Sequence, residues 1–393
     1  MNRQHKKIFG TLFFSIFATV TGVGIVVPLL PVYAHGIGAG GLYIGLIFGS
    51  FSLSRTFFMP YFGRLSDKNG RKPHIVAGLL AYALISIAFI FSTDIETLIV
   101  IRFFQGIASA MIMPIAQAYI GDITPPGREG FSMGLFNMSV FCGLSIGPLA
   151  GGMISDYFSL STAFAAMGIL ALIGFFLSLF LLPPTQSEAV IRDSKKPSDW
   201  KQLLKDRDIA GFFLFRLAYT TCIGIIWGFL PVFADVEFSL SSSSIGILVM
   251  LGVFVNGLIH TPMGFLADKI NRRLLVLAGG LVTGFAILSF EWAGGFGDLF
   301  LASVLFGIGG GVSMPALMAL AVSKGSHTNA MGSVMALLTM AHSLGMLAGS
   351  LIGGLMMDIF SLRLAFCFGS AAMAVGTVLF MIFTVPGKLP NRR

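Results

Sequence analysis

The chain of 393 residues is 55% hydrophobic and only 11% charged, with 39 phenylalanines and a mean hydropathy of +0.89. Soluble domains carry about 25% charged residues, so too few polar side chains are present to coat a water-exposed surface, which argues against a soluble enzyme or a nucleic-acid module. The formal charge of +8 is therefore tested first against membrane topology, before acidic partners are considered.

Residues 1 to 7 are basic and lead into an apolar run from Ile8 to about Tyr33. That run exceeds the roughly 7 to 15 residue core of a secretory signal and suits a membrane helix, which needs about 20 apolar residues. Reading on from turn to turn predicts twelve spans, at 8–33, 42–62, 74–92, 97–120, 131–154, 162–182, 209–234, 244–263, 274–291, 298–322, 330–356 and 362–385. The one long polar stretch, 183–208, starts Pro183-Pro184 and carries six basic residues. It separates an N-terminal six-helix bundle (1–182) from a C-terminal one (209–393). The expected fold is all-α and membrane-integral, with twelve transmembrane helices in two pseudo-symmetric bundles. Cys142, Cys222 and Cys367 lie in apolar runs without metal or disulfide spacing and read as small core residues. Neither a metal nor a cofactor is expected.

With the N-terminus placed in the cytoplasm, 21 of the 25 Lys and Arg fall in cytoplasmic segments and one, Arg363, falls in an outer loop. The positive-inside rule then places both termini in the cytoplasm of a multi-pass protein of the cell membrane, and a bacterial inner membrane is the expected location. The three remaining cations, Arg55, Arg102 and Arg216, lie inside spans, whereas none of the 17 acids falls within the membrane interior. Most of the +8 is thus an orientation signal, and the informative part is an uncompensated +3 inside the membrane.

The halves echo each other at offsets of 200 to 202 residues. Pro31-Val32-Tyr33-Ala34 returns as Pro231-Val232-Phe233-Ala234, and Met113-Pro114 returns as Met314-Pro315. Gly63-x-Leu65-x-Asp67 with Arg71-Lys72 returns as Gly264-x-Leu266-x-Asp268 with Arg272-Arg273. Asp156, Phe158-Ser159-Leu160 and Ala163-Phe164 return as Asp358, Phe360-Ser361-Leu362 and Ala365-Phe366. Two like-oriented halves are the mark of transporters that rock one bundle against the other around a midplane site.

Across nearly its whole length the chain resembles the major facilitator superfamily, in its twelve-helix drug/proton antiporter branch. The segment from Gly63 through Asp67 and Gly70 to Arg71 and Lys72 resembles the superfamily's loop 2–3 signature. Arg102-x-x-Gln105-Gly106 resembles the span 4 motif of proton-coupled members, and Pro28-x-x-Pro31 the span 1 motif of the branch. Gly143-x-x-x-Gly147-Pro148-x-x-Gly151-Gly152 resembles the antiporter motif of exporters. The resemblance implies that Asp67, Arg71 and Asp122 form a charge network that latches the outward-facing state, with Asp268 and Arg272 as the second-half counterpart. It also implies that the bend at Pro148 seals the cavity against leak, while ordinary packing of the glycine face is the simpler account. Gly345, Gly349 and Gly353 repeat that face in span 11 without a proline.

An arginine at a bilayer centre costs on the order of 3 kcal/mol or more, so it should face protein or water. Arg102, Gln105 and Ser109 make one polar stripe by their helical spacing, which favours a cavity over snorkelling to the interface. Arg216 shares a face with Tyr219 and Trp227, and Arg55 is matched at an offset of 201 by Asn256, which lies on one face with His260. With Asn137 these residues make the expected substrate cavity. Proton antiporters commonly carry a carboxylate inside the membrane, and this chain has none at mid-depth; His342, His260, Asp122 and Glu291 are the candidate substitutes. A cavity of buried positive charge suits anionic, zwitterionic or neutral amphiphiles better than lipophilic cations. The expected partners are a small-molecule substrate, protons and membrane lipid, with no nucleic acid and the chain acting as a monomer. The leading expectation is a proton-driven exporter of small amphiphilic compounds, and the alternative is a facilitator or proton symporter of an organic anion. A membrane enzyme or receptor lacks support, because no metal-ligand cluster, paired carboxylates or phosphate-cradling loop is present in the sequence.

Overall fold

The computed structural model describes residues 3–125, 128–183, 205–267, 269–327 and 331–384. They form twelve α-helices, all long and apolar enough to cross a membrane. The first six are α1 (Arg3–Gly36), α2 (Gly41–Asn69), α3 (Arg71–Phe91), α4 (Ile95–Ile123), α5 (Glu129–Tyr157) and α6 (Leu160–Leu181). The second six are α7 (Arg207–Phe238), α8 (Ser242–Ala267), α9 (Arg272–Ser289), α10 (Phe296–His327), α11 (Met331–Ile359) and α12 (Leu362–Phe383). Most of the linker foreseen at 183–208, and Asp268, lie outside the described residues.

Local chemistry explains where the helices start and stop. Ser159 and Ser361, the matching serines of the repeated Phe-Ser-Leu segments, are the N-caps of α6 and α12, and their hydroxyls accept from the backbone N–H groups of Thr162 and Leu364. Such a side chain satisfies one of the first-turn donors that a helix leaves unpaired. Asp94 caps α4 by accepting from the Thr97 backbone N–H at 2.7 Å and its hydroxyl at 2.6 Å, bonds that hold its carboxyl below the usual range. The turn expected across 63–73 is smaller than the sequence suggested. Helix α2 runs on through Asn69, so Gly63 is a helical residue, and the chain reverses at the single residue Gly70 with φ 88°. A side chain is disfavoured there, which accounts for glycine.

Packing repeats with the sequence. In the first half α1 packs on α5 and α6, α2 on α4, and α3 on α4 and α6; in the second half α7 packs on α11 and α12, α8 on α10, and α9 on α10 and α12. The halves meet through α2 against α11 and α5 against α8. One end of the bundle carries Arg71, Lys72, Arg272, Arg273 and Lys324 and is called the basic end; the other carries Asp94, Asp156, Asp235, Glu237, Asp298 and Asp358 and is called the acidic end.

Close helix approach relies on the glycine faces. A Cβ at Gly143 or Gly147 would strike the α1 backbone near Phe17 and Thr21, and one at Gly151 would meet Ile25. Gly345 and Gly349 press in the same way on Leu217 and Thr221 of α7. Both glycine series therefore act as packing seams. Gly152 and the Pro148 carbonyl meet Ser242 and Gly246 of α8, while the Pro148 ring lies against Gly24 of α1, so the exporter-like segment of α5 is shared between its own half and the other half.

Candidate functional site

A cavity of about 580 Å³ lies between the halves, within the range of about 300 to 1,000 Å³ typical of small-molecule sites. Of the expected cavity residues, Arg55, Ser109, Asn137, Arg216, Tyr219, Trp227 and Asn256 line it. His260 and His342 line it as well. Its walls are otherwise largely apolar, with Phe51, Phe141, Phe306, Met113, Met314 and Met346 beside Val, Ile and Leu side chains, and it extends toward the basic end as far as Gln117 and Met318.

Arg102 and Gln105 are not on this wall, which corrects the polar-stripe expectation. Arg102 is 5% exposed, and its guanidinium donates to the Ile47 carbonyl at 3.3 Å and to Gln105 Oε1 at 2.6 Å. It also stacks over the rings of Phe48 and Phe51, 4.9 and 4.5 Å from their centroids. It neither snorkels nor faces the cavity: it pins α4 to α2, and only Ser109, one turn farther along the stripe, reaches the open space.

The other two arginines are held differently. Arg216 donates to the Met314 sulfur and, at 3.3 Å, to Nδ1 of His342, while its Nε is buried without a partner. Because a guanidinium can only donate, His342 Nδ1 is the acceptor and is unprotonated in this arrangement. The Nε of Arg55 is also buried without a partner. Beside them, Asn256 Nδ2 donates to the Tyr219 hydroxyl at 3.0 Å, and the Tyr219 ring stacks on Phe306 with centroids 5.8 Å apart. Gly310 makes room for this pair, since a Cβ there would strike the Tyr219 hydroxyl and Asn256 Nδ2. His260 stands 5.6 Å from Phe141 across the α5–α8 boundary, with Nδ1 unpartnered.

The remaining proton candidates lie elsewhere. Asp122 sits at the basic end, where Arg71 Nε reaches it at 3.1 Å and Arg71 also pairs with Asp67 and bonds Ser66. All these partners belong to the first half, and the ion pairs expected among Asp67, Arg71 and Asp122 are present. Lys72 donates to the Leu182 carbonyl at 2.6 Å, and Arg272 to those of Ala267 and Ala319. Glu291 stands at the acidic end with Oε2 buried and unpartnered; its backbone carbonyl accepts from Arg363. Lys324, in the sequence only one of the cytoplasmic charges, bridges Asp206 at 2.9 Å and Asp208 at 2.7 Å, which fastens α10 to the start of α7.

Two pairs of bonds tie the halves together at the acidic end. Asp358 at the end of α11 accepts from the backbone N–H groups of Gly41 (2.6 Å) and Leu42 (2.8 Å), the first residues of α2. Asp156 at the end of α5 accepts from those of Ser242 (3.0 Å) and Ser243 (2.8 Å), the first residues of α8. Each carboxylate thus caps a helix of the opposite half, where the partial positive charge of the helix start favours an anion. The repeat marked both acids, but their partners lie 86 and 317 residues away.

The Major Facilitator Superfamily model matches residues 12–236 and again 212–393. The chain belongs to the major facilitator superfamily. An uncharacterized MFS-type transporter of Methanocaldococcus jannaschii is 28% identical over 390 residues, covering 97% of this chain and 99% of its own length. Multidrug resistance protein 2 of Bacillus subtilis is 27% identical over 390 residues, covering 97% and 96% of the two chains. The crystal structure of the nucleoside transporter NupG superposes with a TM-score of 0.82 at 15% identity, covering 98% of this chain and 100% of that one, and so shares its fold. The chain is therefore a facilitator-type membrane transporter with multidrug-efflux relatives, and not an enzyme.

Proposed function

We propose that this facilitator exports small amphiphilic compounds by alternating access, with its basic end in the cytoplasm and with proton antiport as the driving force. The observation that carries the reading is the cavity between the halves, which are tied together at the acidic end by the Asp156 and Asp358 bonds, with the cavity extending toward the basic end. Rocking the halves would break those bonds, release the cargo at the acidic end and close the cavity behind it. The multidrug-resistance name of the Bacillus relative supports export, and the excess of Lys and Arg at one end supports the orientation. Within the cavity the titratable candidates for the proton are His342 and His260, and no carboxylate lines it among the described residues.

A second reading has its own observation. Arg55 and Arg216 on a wall without acids favour an organic anion, which symport or facilitation would also move. Inverted membrane vesicles separate the two. With the lumen acidified, antiport accumulates cargo inside and an uncoupler abolishes the uptake; symport drives cargo out, and facilitation ignores the gradient. Exporter status is lost if acidifying the lumen expels the cargo or leaves it unmoved.

A further inference from the structure

We infer that the preferred cargo carries an acidic head group, a carboxylate or a comparable oxyanion, seated between the guanidinium groups of Arg55 and Arg216, with its apolar body against the apolar wall. The inference deepens the transport reading above and rests on it for the identity of the cavity.

The contrast among the arginines carries the argument. Arg102 has a carbonyl, an amide oxygen and two ring faces around its charge, and Arg71 and Arg363 have carboxylate partners. Arg55 and Arg216 have none of these: each has a buried, unpartnered Nε, no acid lines their cavity among the described residues, and the partners of Arg216 are a thioether and a neutral imidazole. A buried charge normally has a counter-charge or a full set of hydrogen bonds. A planar guanidinium with free donors matches an oxyanion, which can accept two bonds from one fork. The two groups belong to one site, because both line the same cavity, together with His342. They come from opposite halves, Arg55 from α2 and Arg216 from α7. An anion bridging them would link the halves, so that cargo binding favours closure of the basic end. It would also compete with His342 Nδ1 for the Arg216 donor and free that nitrogen.

A series with one skeleton and three charges tests this on the purified full-length protein at neutral pH: 2-naphthoate, 2-naphthamide and 2-naphthylmethylammonium, measured by binding calorimetry. Naphthoate is expected to bind about tenfold or more tighter than the amide, and the ammonium weakest, since a charge-assisted bond exceeds a neutral one by at least that factor. Arg55→Gln and Arg216→Gln should each erase the difference between naphthoate and the amide, with thermal unfolding in detergent showing the variants to be folded. Arg55→Lys should keep part of the preference. The proposal is overturned by ammonium binding as tightly as naphthoate, by no naphthoate binding up to its solubility limit, or by a preference that survives in both Gln variants. The wild-type series alone decides the first two. If naphthoate binds through both arginines but no pH gradient moves it, the export reading fails and this one stands; if a gradient moves the amide or the ammonium while naphthoate does not bind, the reverse holds.

Discussion

Asp156→Asn combined with Asp358→Asn is expected to open the acidic end and to slow transport. Each carboxylate accepts two backbone bonds from the first turn of a helix in the opposite half, at 2.6 to 3.0 Å. Asparagine keeps one acceptor oxygen and loses both the second bond and the charge. Bonds to charged groups are worth about 1.5–3 kcal/mol when buried, but both acids are exposed, so water and salt reduce this to about 1 kcal/mol per clasp. Losing both clasps shifts the closed-to-open ratio by roughly 30-fold. Spin labels at the exposed positions Tyr43 and Phe360, each within two residues of the α2–α11 clasp, should show a longer inter-label distance in the double variant. Ser159→Ala and Ser361→Ala are the controls, because those caps act within one half: they should lower stability by about 1 kcal/mol and leave the distance distribution where it was. An unchanged distribution in the double Asn variant would sink the clasp.

Gly349→Ala and Gly147→Ala should be among the most damaging single-methyl changes in the transporter. At Gly349 the added carbon would strike the Thr221 carbonyl, 2.8 Å from its carbon and 2.9 Å from the Thr221 Cα; at Gly147 it would lie 2.7 Å from the Gly24 Cα and against the Thr21 carbonyl. Every one of these neighbours is backbone and cannot rotate aside, so α7 would have to leave α11, or α1 leave α5. Overpacking of this kind costs about 1–3 kcal/mol, and in lipid no hydrophobic term holds the helices together once close contact is lost. Gly63→Ala provides the contrast. It is helical with nothing within 4 Å of a new Cβ, so replacement should be neutral or stabilising by about 0.5–1 kcal/mol. Thermal unfolding in detergent checks the ordering, and a Gly63→Ala loss as large as that of Gly349→Ala would contradict it.

The same comparison shows what was legible in the residues alone. Twelve spans, the break near residue 183, the twofold repeat and the separation of basic from acidic loops follow from hydropathy and charge, which each residue expresses wherever it sits in the chain. The glycine faces follow from helical period, and many of the polar residues of the cavity wall, from Arg55 and Ser109 to Arg216, Tyr219 and Asn256, were reachable by asking where a polar side chain can stand inside a membrane, whereas its apolar majority was not. Period gives only the relative direction of side chains on one helix; which neighbour that face meets depends on the rotation and tilt of two helices at once. Arg102 and Ser109 share a stripe, yet one is buried against Phe48 and Phe51 and the other opens on the cavity. Likewise Asp156 and Asp358 were visible as repeated acids, but the backbone N–H groups they bind have no signature in a sequence. They become available only where a helix start from one half is brought to a helix end from the other, and that meeting is a property of the tertiary structure.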